Sequence, residues 1–231
     1  MSPLALTLCA LTCLTGQPAP PAFEDAFPGD RLDEAKWVHT VRNDFEQEIV
    51  DVVDGRLRMA ASSIGTDDTT VKFHGVRTKD RVIDLTDAVR VSFDLDWNDQ
   101  ANGCYMTAGA FLCPTVAEDP SDEPSWLQVM YIGVPPGQNT RCLISAKVAG
   151  HETMLLTEKW PEERTGRKIG LQKLEIALDR DTVFVSENEK TILETHDLRL
   201  DFDKAYLYLQ HSTHSNYRLR TVFFDNVTVT K

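Results

Sequence analysis

The chain has 231 residues, 42% of them hydrophobic, which is enough apolar material for one substantial core. Its 36 acidic residues outnumber its 24 basic residues and give a formal net charge of -12. This charge repels phosphate backbones and anionic lipid surfaces, so we expect neither nucleic-acid binding nor membrane insertion. It also argues against a strongly anionic polysaccharide as ligand, unless a local arginine cluster overrides the net charge.

The first 22 residues, MSPLALTLCALTCLTGQPAPPA, carry no charged side chain and run apolar from Leu4 to Leu14. This pattern is typical of a signal peptide, and the apolar run is too short to span a bilayer. We therefore expect residues 1–22 to be a signal peptide, residues 23–231 to form one domain, and the protein to be secreted to the extracellular space or periplasm. Because the usual basic residues at the N-terminus are missing, a disordered leader or a misassigned start codon is the alternative.

Three cysteines, Cys104, Cys113 and Cys142, remain after such a leader. The odd number allows one disulfide and one free thiol, and Cys142 can partner either of the others. Cys104 and Cys113 can reach bonding distance only if the chain folds back near Ala108-Gly109. Three buried thiols that pack as small hydrophobic side chains are the alternative.

Apolar and polar residues alternate with a period of two along most of the chain, whereas helical periodicity is nearly absent. Asp54-Gly55, between two such segments, is a strong hairpin signal. Pro114–Ser125 and Gly150–Arg167 are predicted to be surface loops. Closely spaced strands without covering helices indicate an all-β fold of two antiparallel sheets packed face to face. The predicted strands are Ile49–Val53, Arg56–Ala60, Val71–Thr78, Arg90–Trp97, Cys104–Cys113, Trp126–Val134, Arg141–Val148, Leu171–Leu178, Thr182–Ser186, Thr191–Thr195, Ala205–His211 and Thr221–Thr230.

Four segments resemble the concanavalin A-like lectin/glucanase superfamily, which includes laminin-G-like and sugar-active bacterial domains. They are FEDAFPGDRLDEAKW (Phe23–Trp37), RVIDLTDAVRVSFDLDW (Arg81–Trp97), LQKLEIALDRDTVFVSENEKTI (Leu171–Ile192) and VFFDNVTV (Val222–Val229). The resemblance implies a two-sheet antiparallel jelly-roll β-sandwich, with the first and last strands in the convex sheet. It also implies a concave sheet whose open face binds or cleaves a poly- or oligosaccharide.

Strand alternation assigns side chains to the two faces of each sheet. In Arg90–Trp97 the core positions are Val91, Phe93, Leu95 and Trp97, and Arg90, Ser92, Asp94 and Asp96 point the other way. In Ala205–His211 the core positions are Ala205, Leu207 and Leu209, so Tyr206, Tyr208 and Gln210 point outward. Two aromatic rings and an amide on one face suit a sugar, because sugar faces stack on rings and hydroxyls bond to amides. Ordinary half-buried strand tyrosines are the alternative.

The candidate carbohydrate contacts combine these outward residues with polar residues of neighbouring strands and of the polar stretch that follows His211. No catalytic residue is assigned. The candidate contacts are Tyr206, Tyr208, Gln210, His211, His214, Asn216, Tyr217, Gln128, Arg141, Asp94 and Asp96.

Catalytic motifs of the resembled enzymes are missing. Laminarinase-type glucanases carry E-x-D-x-x-E or E-x-D-x-E on one strand, and the nearest match, Asp94–Asp99, has aspartate at both catalytic positions. Strand rise separates positions i and i+5 by roughly 16 Å, whereas retaining glycosidases need carboxyls about 5 to 5.5 Å apart. The arginine-serine-glutamate-leucine and glutamine-x-histidine motifs of polysaccharide lyases are also missing, since Val129 and Met130 follow Gln128.

No metal cofactor is predicted. The H-x-x-H spacing of His211 and His214 suits a helix better than a strand end, so zinc is not favoured. A structural calcium ion, which the resemblance allows, is not specified by any acidic cluster. Asn226-Val227-Thr228 matches a glycosylation sequon but falls inside a predicted strand.

Three functions therefore stay open. A carbohydrate-binding module needs no close acid and base in the groove. A hydrolase or lyase needs a His, Tyr or carboxylate of perturbed pKa at the groove centre. A structural or protein-interaction domain of the laminin-G-like kind needs only a flat or plugged face.

Overall fold

The fold is seen in a computed structural model that describes residues 20–42, 45–62, 72–96, 106–133, 141–159, 170–179, 181–213 and 219–231. Within these ranges the helical structure is one short 3₁₀ turn, Pro120–Asp122, whose start is capped by the Asp119 carboxylate. The strands are β1 (Phe23–Asp25), β2 (Trp37–Arg42), β3 (Gln47–Val53), β4 (Arg56–Ser62), β5 (Lys72–Thr78), β6 (Ile83–Asp84), β7 (Val89–Asp96), β8 (Met106–Cys113), β9 (Trp126–Gly133), β10 (Arg141–Val148), β11 (His151–Lys159), β12 (Leu171–Asp179), β13 (Thr182–Glu187), β14 (Lys190–Thr195), β15 (Lys204–Thr213) and β16 (Arg220–Thr230).

The strands form two antiparallel sheets. Sheet A has the order β14-β13-β12-β7-β16-β4-β3, and β1 pairs with β16. Sheet B has the order β11-β10-β9-β8-β15-β5-β2, and β6 pairs with β15. The first and last strands thus lie in one sheet. The predicted all-β, two-sheet sandwich is confirmed.

Two-residue turns join several neighbouring strands. Asp54 and Gly55 have φ of 53° and 70°, so the predicted hairpin between β3 and β4 is present. Asn188-Glu189 and Ala149-Gly150 also have positive φ at both residues. Two positive φ values in succession match the right-handed twist of the strands they connect.

The second long loop was predicted wrongly. Gly150–Arg167 was expected to be a surface loop, but His151–Lys159 forms β11, which pairs with β10 along its whole length. This strand lies at the edge of sheet B and its first four side chains are exposed, so it has few apolar residues to reveal it. Pro114–Ser125 has no strand, as predicted.

The core lies between the sheets and follows the predicted alternation. Val91, Phe93 and Leu95 of β7 are at most 1% exposed. Leu207 and Leu209 of β15 meet them from sheet B in the same cluster of buried side chains. Each such side chain contributes about 1.5–3 kcal/mol by leaving water. Trp97, also predicted to be in the core, lies outside the described residues.

The N-terminal segment contains a contact between the sheets. The indole Nε1 of Trp37 in sheet B donates to Asp25 Oδ2 in sheet A at 2.7 Å. The backbone N–H of Phe27 donates to the other oxygen of the same carboxylate at 2.9 Å. Phe23 packs edge-on against Trp37, with ring centroids 5.2 Å apart. The buried carboxylate therefore has two donors, which offset its loss of hydration.

Cys113 is a free, buried thiol in the structure, so the disulfides that the sequence allowed for it are not present, and Cys113 packs as the buried-thiol alternative expects. Burial raises the pKa of the Cys113 thiol, which favours the neutral form at physiological pH. Cys142 is buried in the core between the sheets. Cys104 lies outside the described residues.

A histidine pair closes one edge of the sandwich. His211 on β15, predicted as a sugar contact, instead faces inward, and its Nδ1 lies 2.6 Å from Nε2 of His74 on β5. Both rings are 0% exposed, and the Phe45 ring packs against His74. On the other side of His74, Nδ1 lies 3.2 Å from Glu48 Oε1 of sheet A. The same oxygen accepts a bond of 2.8 Å from His39 at the surface.

The pair carries a pH dependence. Burial lowers the pKa of His74, and burial followed by the His74 charge lowers the pKa of His211. The unfolded chain therefore binds more protons than the folded chain below about pH 6.5, so stability falls as the pH falls. Glu48 affects stability only at lower pH. Burial raises its pKa, but hydrogen bonds from His39 and His74 outweigh this effect and bring the pKa to about 2.

We predict that the free energy of unfolding decreases from about pH 7.5 to about pH 5.5, because His74 and His211 must stay neutral in the fold. Replacing His211→Phe should reduce the slope against pH by up to about 1.4 kcal/mol per pH unit. Urea unfolding at a series of pH values measures this slope. His196→Gln, which changes an exposed ring, should keep the wild-type slope. Equal slopes in the wild type and His211→Phe would show that the pair does not carry the effect.

Candidate functional site

The outer face of sheet B is where the sequence places the sugar. Tyr206, Tyr208 and Gln210 of β15 do point away from the core, as predicted. Tyr208 is paired with Phe111 of β8, which is paired with Gln128 of β9. Tyr208 and Gln128 therefore stand on one row across three strands, about 10 Å apart along the sheet.

A loop covers this row. We call Pro114–Ser125, the loop between β8 and β9, the strap. The hydroxyl of Tyr208 donates to the Thr115 carbonyl at 2.9 Å and accepts from the Ala117 N–H at 3.0 Å. Tyr208 is 0% exposed, and burial raises its pKa to about 12. The ring thus holds the strap instead of presenting a platform to solvent.

An ion pair with β2, the edge strand of sheet B, holds the middle of the strap. Arg42 of β2 donates to Asp119, whose side chain is 0% exposed, and lies 3.3 Å from Asp122. The bond to Asp119 raises the pKa of Arg42. Because β15 and β5 stand between β8 and β2, the strap crosses both strands to make this contact. At its other end, Trp126 Nε1 donates to the Ser121 carbonyl at 3.2 Å.

The amides of the predicted site are also internal. Gln128 Nε2 donates to Ser145 Oγ on the neighbouring strand at 2.7 Å. Gln210 is 0% exposed, and its amide has no hydrogen-bond partner in the described part of the chain. Gly75 and Gly109 flank Gln210 on the two neighbouring strands. A Cβ at either position would lie 2.1 Å from a carbonyl oxygen of the adjacent strand, so the backbone leaves room only for glycine there. The expected open platform of Tyr208, Gln210 and Gln128 is therefore corrected to a covered face.

The outer face of the central strands carries no acid for glycoside cleavage. Two carboxyl groups flanking the scissile bond are the usual requirement of glycosidases. Among the described residues of β8, β9 and β15 none of the outward positions is Asp or Glu. These positions are Thr107, Gly109, Phe111, Cys113, Trp126, Gln128, Met130, Ile132, Lys204, Tyr206, Tyr208, Gln210 and Ser212.

The other predicted contacts are scattered. Arg141 begins β10 of sheet B, and Asp94 and Asp96 lie on β7 of sheet A, so the structure does not bring the aspartates to the predicted face. Asp96 accepts a bond of 2.9 Å from Arg56. His214, Asn216 and Tyr217 lie outside the described residues.

Tyr206 lies at the rim of sheet B, beyond the strap. It is half-buried, and its ring lies 5.2 Å from the Arg77 guanidinium and 5.5 Å from that of Arg81. Contacts of this kind are worth about 0.5–2 kcal/mol. The ring therefore positions two cations, and direct stacking on a sugar would have to displace one of them.

A second surface was missed by the sequence analysis. An open groove of about 870 Å³ runs over the outer face of sheet A, on the side away from the strap. We call it the sheet A groove. It is lined by Arg90, Ser92, Phe93, Asp94, Lys173, Leu174, Glu175, Ala177, Phe184, Ser186, Glu189, Thr191, Asn226 and Thr228.

A β-bulge shapes one end of this groove. The register of β16 against β7 shifts between Asp225 and Thr228, and Asn226 has a φ of 50°. Asparagine tolerates this left-handed conformation better than most residues, and the bulge directs its side chain into the groove. Asn226 Nδ2 donates to Asp94 Oδ2 at 2.8 Å.

Charges of both signs line the rest of the groove. Arg90 donates to Glu175 at 2.6 Å, and the Phe184 ring is 36% exposed beside them. Asp225 stands across from Asp94 on the neighbouring strand. Burial and the Asp94 charge together raise the pKa of Asp225, although the Asn226 N–H bond opposes this. Asp94 therefore lines the groove, and Asp225, whose carboxyl keeps its proton more readily, lies at the paired position of the next strand, beside the groove.

Neither a metal centre nor a membrane-spanning helix is found in the described ranges. No group of three or more His, Cys, Asp or Glu side chains there is arranged to hold a metal ion. No helix in the same residues is long and apolar enough to cross a bilayer.

We predict that Tyr208→Phe destabilises the fold by about 1–3 kcal/mol, because it removes both hydrogen bonds to the strap and leaves the Ala117 N–H unpaired. Hydrogen exchange of the strap amides should also become faster than in the wild type. Tyr206→Phe is the matched control, since its hydroxyl makes no hydrogen bond to any residue within the described ranges. If both variants lose the same stability, Tyr208 does not hold the strap.

Comparisons with known proteins agree on the architecture. No protein-family model and no curated protein matches the chain. The endo-β-1,3-glucanase of Pyrococcus furiosus superposes with a TM-score of 0.67 at 13% identity, covering 90% of this chain and 93% of the other. The catalytic domain of an endo-1,3-β-glucanase (laminarinase) from Thermotoga petrophila gives 0.65 at 11% identity, covering 91% and 96%.

A third solved structure is longer than this chain. It is a GlcNAcα1-4Gal-releasing endo-β-galactosidase from Clostridium perfringens, with a TM-score of 0.65 at 10% identity. The match covers 90% of this chain but only 61% of that one. At such identities the likeness concerns the fold alone. The chain has the concanavalin A-like, two-sheet jelly-roll fold that these solved structures share, as the sequence predicted.

Proposed function

We propose that the chain is a secreted glycan-binding domain that holds an oligosaccharide in the sheet A groove. The observation that carries the proposal is the groove itself, the open surface of about 870 Å³ in which Asp94, Asn226 and Phe184 converge. Its volume lies within the range of small-molecule sites, and its open shape suits a chain that continues past both ends.

The lining has the chemistry that sugars need. Hydroxyls both donate and accept hydrogen bonds, and the groove offers carboxylates, an amide, hydroxyls and cations. The amide of Asn226 and the carboxylate of Asp94 already bond to each other, which fixes their orientation. The exposed Phe184 ring supplies the apolar surface on which a sugar face stacks.

Two further observations favour glycan binding in the sheet A groove over glycan cleavage at the outer face of sheet B, where the sequence placed the site. The strap covers the outer face of sheet B, and the outward positions of its described central strands carry no Asp or Glu. Meanwhile, the structures that share the fold include glycan-cleaving enzymes, which makes a glycan the ligand class to test first. The uncharged, apolar residues 1–22 support export of the protein, and an exported protein encounters extracellular glycans.

We predict that Phe184→Ala weakens glycan binding about tenfold or more, because the ring contributes stacking and buried area. The probes are β-1,3-glucan oligosaccharides and mucin O-glycans, screened on an array and titrated by calorimetry. Met154→Ala removes a comparably exposed side chain from sheet B and should leave affinity unchanged. The absence of binding to any glycan, or equal losses in both variants, would refute the groove as the site.

Cleavage in the same groove is the second candidate function. Asp94, which lines the groove, and Asp225 occupy paired positions on neighbouring strands, and the raised pKa of Asp225 suits a general acid. The adjacent carboxylate would then act as base or nucleophile.

We predict that, if cleavage occurs, Asp225→Asn and Asp94→Asn each reduce product formation from the bound glycan by about a hundredfold or more. Chromatography of the products measures this. Asp51→Asn, which lies at an ion pair elsewhere on sheet A, is the matched control. If the wild type releases no product from glycans that it binds, the cleavage candidate fails while the binding proposal stands.

A further inference from the structure

A pocket of about 460 Å³ opens beside β6, where both ends of the domain meet. We call it the cationic pocket. It shares no lining residue with the sheet A groove. Its lining comprises Ala22, Phe23, Ala35, Lys36, Lys79, Asp80, Arg81, Val82, Asp84, Val89 and Lys231.

The charge of this pocket has the opposite sign to that of the whole chain. Four of its lining residues are basic and two are acidic, although the chain as a whole has 36 acidic and 24 basic residues. Salt screens charges beyond about 8 Å under physiological conditions, so a ligand in the pocket senses this local excess more than the distant acidic surface.

The four cations differ in how far the protein already neutralises them. Lys231 pairs with Asp87 at 2.9 Å, and Lys36 lies 3.7 Å from Asp25. Among the described residues, the Lys79 ammonium donates only to a backbone carbonyl, that of Glu34, at 3.3 Å. Neither Lys79 nor Arg81 has a carboxylate within ion-pair distance in the described part of the chain. These two side chains therefore keep their charge available to a ligand.

Arg81 is also held in position. Its guanidinium lies 5.5 Å from the Tyr206 ring centroid, and Arg77 approaches the same ring at 5.2 Å. A guanidinium that stacks on a ring keeps the N–H donors at its edge free. These donors can form two parallel hydrogen bonds to an oxyanion. Tyr206 thus contributes by orienting cations.

We propose that the cationic pocket binds an anionic saccharide unit through Lys79 and Arg81, with a sulfate or carboxylate group between them. The pocket volume accommodates one or two sugar rings. Phe23, Val82 and Val89 supply apolar surface for the ring, while the cations take the anionic substituent. The proposal goes beyond glycan binding in the sheet A groove, because it names a second site and a charged class of ligand.

The test measures binding of three oligosaccharides of matched length, one sulfated, one containing uronic acid and one neutral, by calorimetry at two salt concentrations. Inorganic sulfate and phosphate are titrated alone as further probes. The wild type should bind the sulfated or the uronate form, more weakly at high salt, and Lys79→Gln/Arg81→Gln should lose about tenfold or more in affinity. Which of the two forms binds identifies the anionic group.

The control variant is Lys190→Gln/Arg199→Gln, which removes the same two charges from exposed positions outside both sites. It should bind like the wild type. Equal loss in the two double variants, or no binding of either anionic oligosaccharide, would overturn the proposal. Inorganic sulfate or phosphate that binds as tightly as the saccharide would overturn the sugar assignment.

Phe184→Ala separates the two sites in the same experiment. It should leave binding of the anionic oligosaccharide to the cationic pocket unchanged, because Phe184 does not line that pocket. Loss of anionic binding in Phe184→Ala would assign that ligand to the sheet A groove and overturn the second site. If neutral glycans fail to bind anywhere, the groove proposal fails while the pocket result stands.

Discussion

The hydrogen bonds between the Tyr208 hydroxyl and the strap determine which surfaces of the sandwich are open. With Thr115 and Ala117 held over β15, the strap continues across β5 to the ion pair between Asp119 and Arg42. The aromatic side chains Phe111, Trp126 and Tyr208, with Cys113 and Met130, then form a second, smaller core on the outside of that sheet. Ligands must be sought on the opposite sheet and at the rim, because the middle of this face is already occupied by the protein.

Alternation predicted the direction of side chains well but not their exposure. Leu207 and Tyr208 point to opposite faces, as a period of two requires, yet both are 0% exposed. The exposure of Tyr208 depends on residues 91 and 93 positions away, and local pattern carries no information about such contacts. The same limit explains His211: its inward direction follows from the alternation, whereas its partner His74 lies 137 residues away. β11 was missed for a different reason, since its first four side chains are exposed and do not alternate between apolar and polar.

The two candidate sites show why net charge is a poor guide to ligands. A formal charge of -12 is an average over the whole surface. In the sheet A groove, basic and acidic residues are interleaved, and Arg90 pairs directly with Glu175. In the cationic pocket, basic residues gather around β6 and are oriented in part by Tyr206. Each site also includes or contacts one residue that the sequence singled out. Asp94 lines the groove on the opposite sheet from the predicted site, and Tyr206 orients cations at the pocket instead of stacking on a sugar.

The bulge at Asn226 affects how the protein should be produced. The bulge exposes this side chain in the sheet A groove, and Asn226-Val227-Thr228 is an acceptor sequence for N-linked glycans. A host that glycosylates secreted proteins would attach a bulky, covalent sugar chain at the groove. The sugar would replace one of the two N–H groups of the Asn226 amide, which bonds to Asp94. Material from such a host would have its own groove blocked, so a negative binding result would reflect the expression system. Protein made in a non-glycosylating host presents the groove without this modification.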